Sequence, residues 1–111
     1  MIGFLLDEHL PKWWRRELII LEPTLKVWRV GDFLAPPIES PDPVLLEWCE
    51  ANHSILLTNN RSTMPEHLAN HISQGQHIPG IFIVEPNLHI IDLAATLLLI
   101  SGASLENEYQ D

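Results

Sequence analysis

Short apolar runs alternate with polar breaks along this chain, and the period of each stretch predicts its element. Residues 2–6 form a continuous apolar run that stops on Asp7 and Glu8. Runs of four to eight apolar residues between polar stops are the pattern of strands buried on both faces, as in parallel sheets. Pro11 suits the first turn of a helix, and Trp13, Trp14, Leu18 and Leu21 follow at helical spacing until Glu22-Pro23. Trp14 fits the buried stripe better than Trp13. Residues 25–30 alternate as a second strand and leave through Gly31-Asp32. The proline-rich stretch 35–41 can sustain neither kind of ladder.

Asp42-Pro43 predicts a helix start, with Asp42 as N-cap and Pro43 at the first helical position. That helix runs to about Asn52 with Leu45, Trp48, Cys49 and Asn52 on one stripe and Glu47 and Glu50 toward water. Residues 54–58 read as strand three. Thr63-Met64-Pro65-Glu66 matches a capping box and opens a helix ending near Gln74-Gly75. Pro79-Gly80 introduces a fourth strand over 81–84. Residues 88–101 form a last helix, closed by Gly102 and apolar almost all round, so it is either buried in the core or covered by a partner subunit. The acidic tail 104–111 is expected to fray, which leaves one domain over 1–103.

The resulting β-α-β-α-β-α-β-α order predicts an α/β fold of three layers: a central parallel sheet of about four strands with helices on both faces and right-handed crossovers. In such a sheet the carboxyl ends of the strands share one edge, and ligands bind in the crevice outside it. Asp7, Glu8, Thr58, Asn59 and Asn60 therefore converge there from two distant parts of the chain.

Composition narrows the setting. A chain of 111 residues with 46% hydrophobic content is long enough for one real core. Its single cysteine, Cys49, has no partner for an internal disulfide, which points to a reducing, cytoplasmic environment. Acidic residues arrive too early at the N-terminus for a signal peptide, and the apolar stretch 90–100 contains Asp92 and is too short for a bilayer, so no membrane is expected. Net charge is −9, which argues against nonspecific nucleic-acid binding by the surface as a whole. The charge is uneven, however. Residues 1–30 carry five of the six basic side chains (Lys12, Arg15, Arg16, Lys26 and Arg29) and balance at +1, while residues 31–111 hold only Arg61 and balance at −10.

Four segments together resemble a known family. Phe4-Leu5-Leu6-Asp7-Glu8-His9-Leu10-Pro11 is similar to an "LLDENLP" opening, with His9 in place of Asn. Asp42, ahead of Leu45-Leu46-Glu47-Trp48, matches a "D-x-x-I/L-L-x-x-A" segment. Ile55-Leu56-Leu57-Thr58 resembles a "VLVT" strand, and Pro79-Gly80-Ile81-Phe82-Ile83-Val84 a "PGVIVL" strand. In this order they resemble the small PIN-like domains, a branch of the PIN nuclease superfamily that includes VapC-type toxins. The resemblance implies a PIN-like fold and a divalent-metal-dependent endoribonuclease, the toxin component of a toxin–antitoxin module, with an antitoxin-like protein partner and frequent homodimers. One departure bears on activity. The family's "T-x-D-x-D-F" appears here as Thr58-Asn59-Asn60-Arg61-Ser62-Thr63, so Asn60 and Ser62 replace two acidic residues.

Under that resemblance Asp7, Asp42 and Asn60 are the catalytic and metal-binding set for weakly bound Mg²⁺ or Mn²⁺, with Glu8 a lesser metal ligand. An amide carbonyl coordinates but brings no charge, so affinity is reduced. Asp42 is a helix cap whether or not it faces a metal. Asn60 is open between ligand, phosphate contact and turn residue. Thr58 orients the site through its hydroxyl. Arg61, Lys12, Arg15 and Arg16 should meet a substrate's phosphates at the same sheet edge, where an exposed tryptophan could also stack on an unpaired base. Glu66 reads as the capping partner of Thr63. His67 and His71, four apart on a helix, have a spacing that suits zinc, but no Cys or acidic cluster completes them. The competing interpretations are a degenerate PIN-like module that acts through protein contacts, and RNA binding without cleavage. The apolar last helix is the expected homodimer surface.

Overall fold

Adjacent residues of the first strand face opposite ways, and this alternation divides the core in two. A computed structural model describes residues 2–60, 64–75, 80–85 and 87–107. Its elements are β1 (Gly3–Leu6), α1 (Trp14–Leu21), β2 (Val27–Arg29), α2 (Asp42–Ala51), β3 (Ser54–Thr58), α3 (Met64–Ser73), β4 (Gly80–Ile83) and α4 (Ile90–Asn107). Phe4 and Leu6 on β1, with Ile55 and Leu57 on β3, pack against Trp14 and Leu18 of α1 and Leu93 and Leu97 of α4. Leu5 and Leu56 point the other way and meet Leu45, Leu46 and Cys49 of α2 and Met64 of α3. Each fully buried leucine here contributes about 1.5–3 kcal/mol relative to exposure.

All strand pairs are parallel and the order is β2-β1-β3-β4, flanked by two helices on each face: the expected three-layer α/β/α arrangement. The chain winds outward from β1 to β2, then returns past β1 to place β3 and β4 on its other side. Strand order thus reverses between β1 and β3. The crevice outside the carboxyl ends at such a reversal is where open α/β sheets bind ligands.

Several boundaries differ from the sequence expectation for identifiable reasons. Helix α1 begins at Trp14, not Pro11, because the chain first makes two turns, with Leu10 N donating to Asp7 O and Trp14 N to Pro11 O. Strand β2 covers only Val27–Arg29 within the expected 25–30. Its outer edge is closed by side chains: Asp32 Oδ2 accepts Arg29 N at 2.8 Å, and Arg15 Nε donates to Val27 O at 3.1 Å. Arg15 and Asp32 also pair at 3.0 Å. An edge filled in this way cannot template another strand.

Asp42 is not the N-cap of α2. That position belongs to Pro41, whose carbonyl accepts Val44 N and Leu45 N, the amides an Asp42 cap would have used. Asp42 is instead the first helical residue and its carboxylate turns elsewhere. The buried stripe of α2 is Leu45, Leu46 and Cys49, with Asn52 exposed beyond the helix end. Gly75 at φ +80° follows α3 as expected, whereas Gly102 is not in the left-handed region and α4 continues through it to Asn107. The helix therefore extends into the segment expected to fray. Leu93, Ala94, Leu97 and Ser101 form its buried side, while Ile91, Leu98 and Leu99 are exposed. Arg61, Ser62, the capping Thr63 and Pro79 lie outside the described residues. Among the described residues, no helix is long and apolar enough to cross a membrane.

Candidate functional site

Asp7 and Thr58 end the two strands that flank the reversal point. Backbone pairing continues one step past Leu6↔Leu57, with Asp7 N donating to Leu57 O at 2.9 Å, so the two residues leave the sheet side by side. Thr58 Oγ1 donates to Asp7 Oδ2 at 2.8 Å, a contact between residues 51 apart in sequence. Asp7 Oδ1 accepts a longer bond, 3.4 Å, from His9 N. The carboxyl residue is only 5% exposed. A buried carboxylate demands such partners, because leaving it bare costs several kcal/mol.

From Thr58 the network passes outward. Its hydroxyl oxygen accepts Asn60 N at 3.1 Å, fixing the turn after β3. Asn60 Nδ2 then donates to Asp42 Oδ2 at 3.4 Å, and His67 Nε2 of α3 lies 3.5 Å from that same oxygen. Asp7, Thr58, Asn60 and Asp42 thus form one continuous chain of contacts. The three residues nominated as a catalytic set are linked through this chain, with Thr58 between Asp7 and Asn60, and each carboxylate has a protein partner.

Asp42 reaches this place through the loop between β2 and α2, which is tied down at several points. Glu8 Oε1 accepts Glu39 N at 2.7 Å, and Trp48 Nε1 donates to Leu34 O at 3.0 Å. Leu34 and Glu39 have φ of +70° and +68°, conformations that cost non-glycine residues about 1–3 kcal/mol each and need such bonds to persist. The Glu8 side chain therefore serves the loop. Lys12 and Arg16 are exposed at the start of α1, Arg15 is engaged at the β2 edge, and Arg61 lies outside the described residues.

Two further residues lie beside the site that the sequence does not place there. Arg29 ends β2, opposite Leu6, and its guanidinium donates to Glu8 O at 2.9 Å and Val30 O at 3.2 Å. No carboxylate among the described residues pairs with it, and its Nε is buried without a partner. The same carboxyl-edge rule that nominated Asp7 applies to Arg29. The other is His67, whose role depends on how α3 packs on α2, which periodicity does not specify.

His67 and His71 do not share a ligand. His71 Nε2 lies 3.2 Å from Glu50 Oε1, so each imidazole faces its own carboxylate on α2. Between the helices is a cleft of about 170 Å³ lined by Pro43, Glu47, His67, Asn70, His71 and Gln74. Among the described residues, no three His, Cys, Asp or Glu side chains are placed to hold a metal ion. The donors at the sheet edge are two carboxylates, an amide and a hydroxyl, all oxygen chemistry apart from the amide nitrogen. Oxygen donors of these types are the ones Mg²⁺ and Mn²⁺ take, Mg²⁺ commonly through one or two carboxylates together with substrate phosphates.

Cys49 takes no part. It lies in the core under α2, and burial pushes its thiol up to about 12, which keeps it protonated and unreactive. No family model matches the chain, and no curated protein or solved structure is significantly similar to it.

Proposed function

We propose that the chain is a PIN-like, divalent-metal-dependent endoribonuclease that acts on RNA with a charge-poor site. The observation that carries this is the continuous contact chain Asp7–Thr58–Asn60–Asp42 at the strand-order reversal, built from residues far apart in sequence. Asp7 and Asp42 would hold Mg²⁺ or Mn²⁺, with the Asn60 amide as a neutral third donor. When bound, such an ion neutralises phosphate charge and acidifies a water. Thr58 keeps Asp7 oriented, and the Arg29 guanidinium places positive charge beside the strand ends, where a phosphate would lie. Two carboxylates give weak binding that a substrate's phosphate strengthens. The accompanying role is that of a cytoplasmic toxin in a toxin–antitoxin pair, with an antitoxin-like protein partner. The exposed Ile91, Leu98 and Leu99 of α4 favour a homodimer, which light scattering tests directly.

The deciding experiment is cleavage of a single-stranded RNA with Mn²⁺, with Mg²⁺ and with excess chelator, wild type beside Asp42→Asn. Metal-dependent cleavage lost in the variant supports a nuclease; intact RNA under all conditions removes it.

One observation favours a second reading. Both Asp7 oxygens already accept hydrogen bonds, and Asp42 Oδ2 is shared between Asn60 and His67. A network satisfied without an ion suits a degenerate PIN-like module that no longer cuts and acts through protein contacts. Intact RNA combined with no metal binding is the result it requires.

A further inference from the structure

Trp13 is 56% exposed, while its neighbour Trp14 is 8% exposed and lies in the core with Leu6, Leu10 and Leu18. The two indoles meet edge to face, with centroids 6.2 Å apart and planes at 78°. The exposed ring thus rests against a buried one, which reduces the conformational freedom lost when a ligand stacks on it. Lys12 and Arg16 are exposed beside it in the chain, and no carboxylate among the described residues pairs with either. Arg15, between them, is held by Val27 O and Asp32 at the β2 edge and is not available. The turns through Leu10 and Trp14 carry this cluster directly from Asp7, so it stands at the same end of the sheet as the candidate site.

Charge complementarity selects the ligand class. Residues 31–111 balance at −10, so most of the surface repels a polyanion, whereas at the start of α1 two exposed cations neighbour an exposed indole in the chain. We propose that Lys12, Trp13 and Arg16 form a platform for an unpaired RNA strand, with Trp13 stacking on one base and the two cations meeting neighbouring phosphates. Unpaired bases offer the free faces that a duplex has already stacked, and base–aromatic stacking tolerates any sequence. The choice of RNA rests on the function proposed above.

The test is fluorescence anisotropy of a labelled single-stranded RNA of about twelve nucleotides, with the full chain in EDTA so that no metal-dependent cleavage occurs. The expected result is about tenfold weaker binding for Trp13→Ala, with most affinity restored in Trp13→Phe. Lys12→Gln with Arg16→Gln lowers the slope of log affinity against log salt by about 1.4. A duplex of the same sequence binds more weakly than the single strand. Unchanged affinity in Trp13→Ala, equal binding of the duplex, or equal binding of an acidic peptide would overturn the proposal. The two failures are separable: strand binding that depends on Trp13, with no cleavage under any metal, refutes the nuclease and leaves the platform standing. Cleavage with RNA affinity indifferent to Trp13 does the reverse.

Discussion

The hydroxyl of Thr58 donates a 2.8 Å hydrogen bond to the buried carboxylate of Asp7, joining the ends of the two strands at which the sheet reverses order. Thr58 Oγ1 also accepts Asn60 N, so this single oxygen holds both Asp7 and the turn that carries Asn60. Thr58→Val keeps the side-chain shape and removes both bonds, leaving a buried carboxylate oxygen and an amide without that partner. Urea denaturation should show a loss of about 2–4 kcal/mol. A loss below about 0.5 kcal/mol would mean that the bond does not hold the site together.

Asp42 behaves differently because it caps nothing. With the first amides of α2 already taken by Pro41 O, Asp42→Asn forfeits mainly the favourable placement of an acid near a helix N-terminus, about 0.3–1 kcal/mol. The variant should therefore fold like the wild type by circular dichroism and lose stability by no more than that. A drop of about 2 kcal/mol or more would restore the capping role expected from sequence.

How much of this was legible in the sequence follows from what each signal measures. The apolar runs before Asp7 and after His53 are dictated by burial on both faces, so β1 and β3 and their polar stops could be read directly, and with them the meeting of Asp7 with Thr58. The partner of Asp42 could not. Asp-Pro is a strong helix-start signal, but it does not say which of Pro41 and Asp42 contributes the first carbonyl, and that one-residue difference redirects the carboxylate. Gly102 shows the same limit: a glycine ends a helix only where the backbone turns left-handed, and here it does not. Arg15 is grouped with substrate cations because its helix begins at the carboxyl edge of the sheet, whereas the unpaired edge of β2 claims its side chain.

That edge makes a prediction of its own. Asp32 accepts Arg29 N and pairs ionically with Arg15, so Asp32→Ala leaves an edge amide open and removes the charge partner of Arg15. A stability loss of about 1–2 kcal/mol is expected, with greater self-association in sedimentation as the exposed strand edge becomes available. An unchanged melting curve together with an unchanged sedimentation profile would show that the edge needs no protection.

Cys49 gives a pH dependence of known sign. Burial raises the thiol from its ordinary 9.0 to about 12, so the folded protein keeps the proton while the unfolded chain releases it above 9. The folded state therefore binds more protons in that window, and its stability falls as pH rises. The contribution is intact below pH 9 and declines by up to about 1.4 kcal/mol per pH unit between about 9 and 12. Denaturation midpoints at pH 8 and pH 10.5 should fall more steeply for wild type than for Cys49→Ala. Parallel curves would place the thiol in contact with water.

The most direct test of the central claim is calorimetric titration of Mn²⁺ into wild type and Asp42→Asn, repeated with a non-cleavable RNA analogue present. A site of two carboxylates and one amide predicts weak binding by the free protein, tightened by the analogue and abolished in Asp42→Asn. Absence of binding with or without the analogue, in a protein that remains folded, would contradict a metal-dependent nuclease and leave the network of Asp7, Thr58, Asn60 and Asp42 as a structural tie.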